Sequence, residues 1–171
     1  MKIYLAGPFG FSEAGRAFHV GTIVREIARL GHVPLDPWAM HDTDPALDAE
    51  IKAAAGMPYG SAKRDTWRGL NMRIGAKNQA LLDACDMVFA VLDGVDVDSG
   101  TAAEIGYAFA RRKPILGYRG DFRLSADNDG SIVNLQVEYF IRASGGDIIT
   151  AIADLAPALA RIAAAGDAGS G

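Results

Sequence analysis

The chain has 171 residues, 50% of them hydrophobic, and a formal net charge of −4. That length and apolar content support one domain with a sizeable core and leave little room for two. The acidic balance argues against a broad phosphate-binding surface, so polymeric DNA or RNA is not an expected partner, although one local basic pocket would not show in the totals.

No uninterrupted apolar segment approaches the ~20 residues that span a bilayer, and the opening MKIYLAGPFGF lacks the long apolar region of a signal peptide. The chain reads as soluble, cytoplasmic and without a membrane partner. KIYLAG is a short buried strand, broken by PFGF before a helix from about Glu13 to Leu30. Phe18, Ile23, Ile27 and Leu30 share one apolar face of that helix, with Ser12 as its N-cap and Gly31 as its stop. HVPLDP suits a second strand, shortened by Pro34 and Pro37. The polar region from about 40 to 68 reads as a loop insertion carrying a small helix around Ala46 to Ala55, and connections of that length are often functional.

A helix from Gly69 to Ala84 leads into DMVFAVLDG, the clearest buried strand. SGTAAEIGYAFARR is helical and ends before Pro114, after which PILGY supplies another strand. SIVNLQVEYFI fits both periods imperfectly and stays open between strand and helix. GDIITAIADLAPALARIAAAG is an Ala-rich terminal helix disturbed by Pro157, and the tail at about 167–171 is expected to fray. Strands alternating with helices imply a parallel sheet covered on both faces, with ligands beyond the carboxyl ends of its strands.

Some chemistries lack their residues. AGPFGF does not complete G-x-G-x-x-G, and no G-x-x-x-x-G-K-[ST] occurs. His19, His32 and His41 have no paired ligand spacing, so no metal site is expected. The only cysteine, Cys85, cannot form an internal disulfide and reads as packed core.

The stretch DVDSGTAAEIGYA carries more information. It places Asp98 at the start of a helix and Glu104 six residues later, where ~1.5 Å of rise per residue lets both carboxylates reach one small pocket. Such acids can simply complement the helix dipole. Alternatively, a carboxylate at an anomeric carbon can displace a base and form a covalent glycosyl-enzyme, while a second one holds the sugar hydroxyls.

The ordered motifs KIYLAGPFGFSEAGR, GHVPLDPW, NQALLDACDMVFAVLDG and DSGTAAEIGYAFARRKPILGYRGD resemble the nucleoside 2-deoxyribosyltransferase family over roughly residues 1 to 142. The resemblance implies a flavodoxin-like (Rossmann-like) α/β fold in one domain, and exchange of the base on a 2′-deoxyribonucleoside without a cofactor. By motif, Glu104 matches the nucleophile, Asp98 the acid that binds sugar hydroxyls, and Tyr4 a tyrosine that orients the glutamate. Gly7, Phe9 and Phe11 lie where the family packs the base, although core packing competes for one of the two rings. Ser99 and Gly100 follow Asp98 in the substrate-binding loop. Asn134, in VNLQ, resembles an asparagine that reaches the 5′-hydroxyl in a neighbouring subunit's site, which implies a homo-oligomer with shared sites. The implied partners are nucleosides and free nucleobases.

One position departs from the pattern. Where well-known members carry an aspartate that contacts the base and can protonate it, this chain has Asn78, whose amide can bond a base edge but cannot act as an acid. Water, Asp42, Asp44 or Asp65 are open substitutes. The nearest rival function is hydrolysis of nucleoside 5′-monophosphates, against which Asp98 would set an anion facing the phosphate. A non-catalytic nucleotide-binding module is the second rival.

Overall fold

In the computed structural model, which describes residues 1–168, β1 (Lys2–Ala6), β2 (Val33–Leu35), β3 (Met87–Val91), β4 (Ile115–Tyr118) and β5 (Ile148–Ile149) form one sheet. Its strand order is β2-β1-β3-β4-β5 and every neighbouring pair is parallel. This is the flavodoxin-like order, whose direction reverses between β1 and β3 and leaves a crevice at their carboxyl ends.

The alternation of side chains along each strand divides the core into two layers. Ile3, Leu5, Met87, Phe89 and Leu116 face one layer, where they meet Ile23 and Ile27 of the first helical run and Leu155 and Leu159 of the last. Tyr4, Ala6, Val88, Ala90 and Ile115 face the other, packed on Ile105 and Ala108 of α6 (Ser99–Ala110) and Val137 and Ile141 of α7 (Leu135–Ala143). Tyr4 is therefore directed toward α6 by its place in β1.

The first helical run comprises α1 (Glu13–Phe18), a π-helical segment (His19–Val24) and α2 (Arg25–Arg29). Ser12 caps it, accepting from the Gly15 amide at 3.0 Å. The π segment turns His19 inward to Asp36, with Nε2 and Oδ2 3.0 Å apart.

Several expectations are corrected. The 40–68 insertion contains the small helix expected around Ala46 to Ala55, as α4 (Pro45–Gly56), but is more helical than a loop: it also holds α3 (Met40–Thr43) and the start of α5 (Ser61–Ala84), which begins well before Gly69. Its apolar positions pack on one another, with Leu47, Ala54 and Leu70 buried in a small core of their own, so they never had to follow the period of a helix lying on the sheet. Asp44 caps α4 by accepting from the Leu47 amide at 3.1 Å, and Lys63 Nζ closes its far end on the carbonyls of Ala55 and Met57 at 2.8 and 3.0 Å.

The terminal segment is not one helix either. Ile148 and Ile149 pair with Gly117 and Tyr118 as the edge strand β5, and only then does α8 (Leu155–Ala168) begin. Pro157 falls in the first turn of α8, where its missing N–H costs nothing, so the helix is not disturbed. Of the expected frayed tail, residues 167 and 168 end α8, and 169–171 lie outside the described residues. The open segment around Val133 resolves as the helix α7, with Asn134 as its N-cap. Among the described residues, no helix is long and apolar enough to cross a membrane.

Candidate active site

The site begins with the cap of α6. Asp98 Oδ2 accepts from the Thr101 amide at 3.0 Å and from Thr101 Oγ1 at 3.1 Å, which fixes where the helix starts at the carboxyl end of β3. Glu104 then falls in the second turn, on the face that meets β1. Tyr4, fully buried, donates its hydroxyl to Glu104 Oε1 at 2.5 Å. Among the described residues no donor engages Oε2, which leaves that oxygen for a ligand.

Burial pushes the Glu104 carboxyl up to about 7; the Tyr4 hydrogen bond pulls it the other way and the negative charge of Asp98 adds to the rise. Burial, and then the neighbouring carboxylate, drive the Tyr4 hydroxyl far above the ordinary phenol range. Tyr4 is thus a permanent donor, and Glu104 changes charge near neutrality.

Both acids open onto a cavity of about 530 Å³ at the switch point. Asp98, Gly100, Thr101 and Glu104 line its sheet end together with Gly7. Phe11, Trp38, Ile51, Trp67 and Ile74 add apolar walls. Trp38 lies flat over the loop after β1: its Nε1 donates to the Gly7 carbonyl at 3.2 Å, and its ring meets Phe11 edge-on at 4.8 Å. Gly10 makes this possible, since a Cβ there would stand 1.9 Å from the indole.

Gly7, Phe11, Asn78, Asp98, Gly100 and Glu104 thus converge, with Tyr4 directly behind. Phe9 does not join them. It packs into the first core layer against Phe18, ring centres 5.7 Å apart, because in the 3-10 turn Pro8–Phe11 two residues' separation points Phe9 and Phe11 in different directions. Ser99, at the first position of α6, is exposed and outside the cavity lining. Asn134 also stands apart, accepting from the amides of Gln136 and Val137 and donating to Asp127 at 3.0 Å. Cys85 is buried, its thiol bonded to the Leu82 carbonyl at 3.1 Å.

Asn78 lines the cavity with its Oδ1 buried and unpartnered by protein. Of the acids considered as substitutes, Asp42 is exposed, Asp44 caps α4 and stands 3.5 Å from Lys77, and Asp65 pairs with Arg68 at 2.6 Å. None lines the cavity; the insertion's acid that does is Asp48, which sequence reasoning missed. Its bond to Lys52 at 2.6 Å holds its carboxyl below the usual range, so it stays ionised. Trp38 and Trp67 were also missed, although two tryptophans in a polar stretch were the available signal.

Fold and site together define a flavodoxin-like α/β protein with a buried tyrosine–glutamate pair and a helix-capping aspartate at the sheet's switch point. Residues 3–136 match the model of the family described as nucleoside 2-deoxyribosyltransferase. The chain belongs to that family. It is 30% identical to an uncharacterized protein of Schizosaccharomyces pombe, an alignment covering 52% of this chain and 65% of that one, so the chain spans under two thirds of the relative's length. Among solved structures, it is similar to a conserved protein from Enterococcus faecalis V583 (TM-score 0.66, 22% identity, 94% and 98% of the two chains). It is also similar to a 2-desoxiribosyltransferase from Leishmania mexicana (TM-score 0.59, 25% identity, 93% and 94%).

Proposed function

We propose that this protein transfers the 2-deoxyribosyl group of a 2′-deoxyribonucleoside to another nucleobase through a covalent ester on Glu104. The observation that carries this reading is the 2.5 Å bond from Tyr4 to Glu104 Oε1, which leaves Oε2 free at a cavity that Asp98 also lines. Family membership supports the same substrates, nucleosides and free bases.

Ionised Glu104 attacks C1′ as the C1′–N bond breaks; the base leaves with the bonding electrons and takes its proton from solvent. Asn78 bonds the base edge, and Asp98 accepts from the sugar hydroxyls. A nitrogen of the incoming base then attacks C1′, the ester oxygen departs as the Glu104 carboxylate, and the proton on that nitrogen is lost to solvent. Two inversions give net retention, and water in place of the second base gives hydrolysis. The apolar walls of the cavity, among them Trp38 and Trp67, suit a planar heterocycle.

Asp98 favours a free 5′-hydroxyl over a 5′-phosphate, since two anions would meet in a partly dry pocket. An exposed ridge on α7, Leu135 with Tyr139, supports assembly as a homo-oligomer, and a cytoplasmic role in nucleotide salvage accompanies this reading. The test compares deoxyadenosine plus a free base with deoxyadenosine monophosphate in water, followed by chromatography. Base exchange on the nucleoside is expected; release of base from the monophosphate alone would replace transfer by hydrolysis.

A further inference from the structure

The largest fully buried side chain in the described residues belongs to a cation, Arg119, just past β4 and 2% exposed. Among the described residues it forms no ion pair within 4 Å, although its charge acts on the Asp121 carboxylate; its guanidinium hydrogen-bonds main-chain carbonyls only. Nη1 bonds Leu92 O, Nη2 bonds Gly94 O at 3.2 Å and Arg123 O at 2.5 Å, and Nε bonds Arg123 O at 3.2 Å. Leu92 and Gly94 belong to the connection from β3 to α6, which ends on Asp98. Arg123 belongs to the connection after β4. Asp93 Oδ1 adds a second tie between the two, accepting from the Asp121 amide at 2.9 Å.

Burying a guanidinium carries a desolvation penalty that a leucine filling the same space would not. What the planar fork supplies is direction: several donors at fixed angles hold two loops in one relative position. The loop so held is the one that delivers the aspartate of the site.

We propose that Arg119 is a positioning residue that sets where Asp98 stands relative to Glu104 by fixing the course of the 92–98 loop. The placement is a statement about the fold; its consequence for turnover rests on the reaction proposed above.

The test follows the titration of Glu104 by NMR in protein labelled with carbon-13 at the glutamate carboxyls, assigned with Glu104→Gln and made on ligand-free protein. Two groups set this titration besides burial: Tyr4 from β1 and Asp98 from the head of α6. Asp98→Asn, which keeps a capping oxygen and removes the charge, gives the full drop in midpoint that losing Asp98's repulsion produces. Arg119→Lys keeps the cation but not the fork, and Gly94→Ala strains the loop from its own end, since Gly94 has φ +135°.

Both variants should unfold cooperatively and show a lowered midpoint, a fraction of the Asp98→Asn drop. With nucleoside, the Arg119→Lys protein should show KM raised about tenfold and kcat changed less. If Arg119→Lys does not fold, Gly94→Ala decides alone. An unmoved midpoint in the folded variants overturns the proposal, whatever their stability. A lowered midpoint in a protein that exchanges no base keeps the positioning role and removes the reaction.

Discussion

Tyr4 and Glu104, 100 residues apart in the chain, are joined by a 2.5 Å hydrogen bond, and the buried setting outweighs that bond in fixing the carboxyl's charge. The bond favours the ionised form, so Tyr4→Phe lets Glu104 keep its proton to higher pH. In the parent protein, base exchange should rise through an acid limb near pH 7. In Tyr4→Phe that limb should move to higher pH, with kcat at pH 7 lower by about ten- to a hundredfold and partly restored above pH 8. An unshifted limb would show that another group governs the rate.

The raised Glu104 carboxyl also costs stability. In the folded protein the group holds its proton up to about 7, against an ordinary value of 4.5, so its contribution is full below about pH 4.5 and is lost as pH rises through 7. Glu104→Gln retains an acceptor for Tyr4 and carries no charge. It should unfold at higher temperature than the parent at pH 8, by a difference of order 2 kcal/mol, and lose that advantage by pH 4.5. Thermal unfolding at the two pH values checks both sign and window.

Asp98 has two duties that substitution can separate. Asn caps a helix about as well as Asp, so Asp98→Asn should retain the stability of the parent, while Asp98→Ala loses about 1 kcal/mol. Both should weaken the hold on the sugar, raising KM for the nucleoside about tenfold. Equal KM values in parent and Asp98→Asn would restrict Asp98 to capping.

The site was legible mainly because ordered motifs resemble one family; spacing alone left Asp98 and Glu104 open to a plain helix-dipole role. KIYLAG and DMVFAVLDG read as buried strands from their apolar runs, and the helix start before SGTAAEIGYA placed Asp98 and Glu104, while the capping bond of Asp98 is visible only in the structure. Within the insertion the helix around Ala46 to Ala55 was legible, but what it faces was not. Leu47, Ala54 and Leu70 pack on a neighbouring helix rather than on the sheet, so nothing in one helix's pattern showed that Trp67 and Asp48 turn toward the cavity. Phe9 and Phe11, two residues apart in one 3-10 turn, point in different directions, Phe9 into the core and Phe11 to the exposed cavity wall, which their like chemistry did not reveal. Ile148 and Ile149 are too short a pair to register as a strand without β4 beside them.

Gly10 underlies the aromatic wall. Gly10→Ala would set a Cβ 1.9 Å from the Trp38 ring, so the indole must leave the loop and give up its bond to the Gly7 carbonyl. Tryptophan emission should shift to longer wavelength, and KM for the base should rise with kcat little changed. Emission and KM both unchanged would mean that Trp38 is no wall of the base site.

The most direct measurement is mass spectrometry of the protein quenched during turnover of a 2′-deoxyribonucleoside and digested to peptides. The peptide containing Glu104 should carry one deoxyribosyl group, absent from Glu104→Gln protein and discharged when a free base is added. Rapid base exchange with that peptide unmodified, or near-normal exchange by Glu104→Ala, would contradict a covalent role for Glu104.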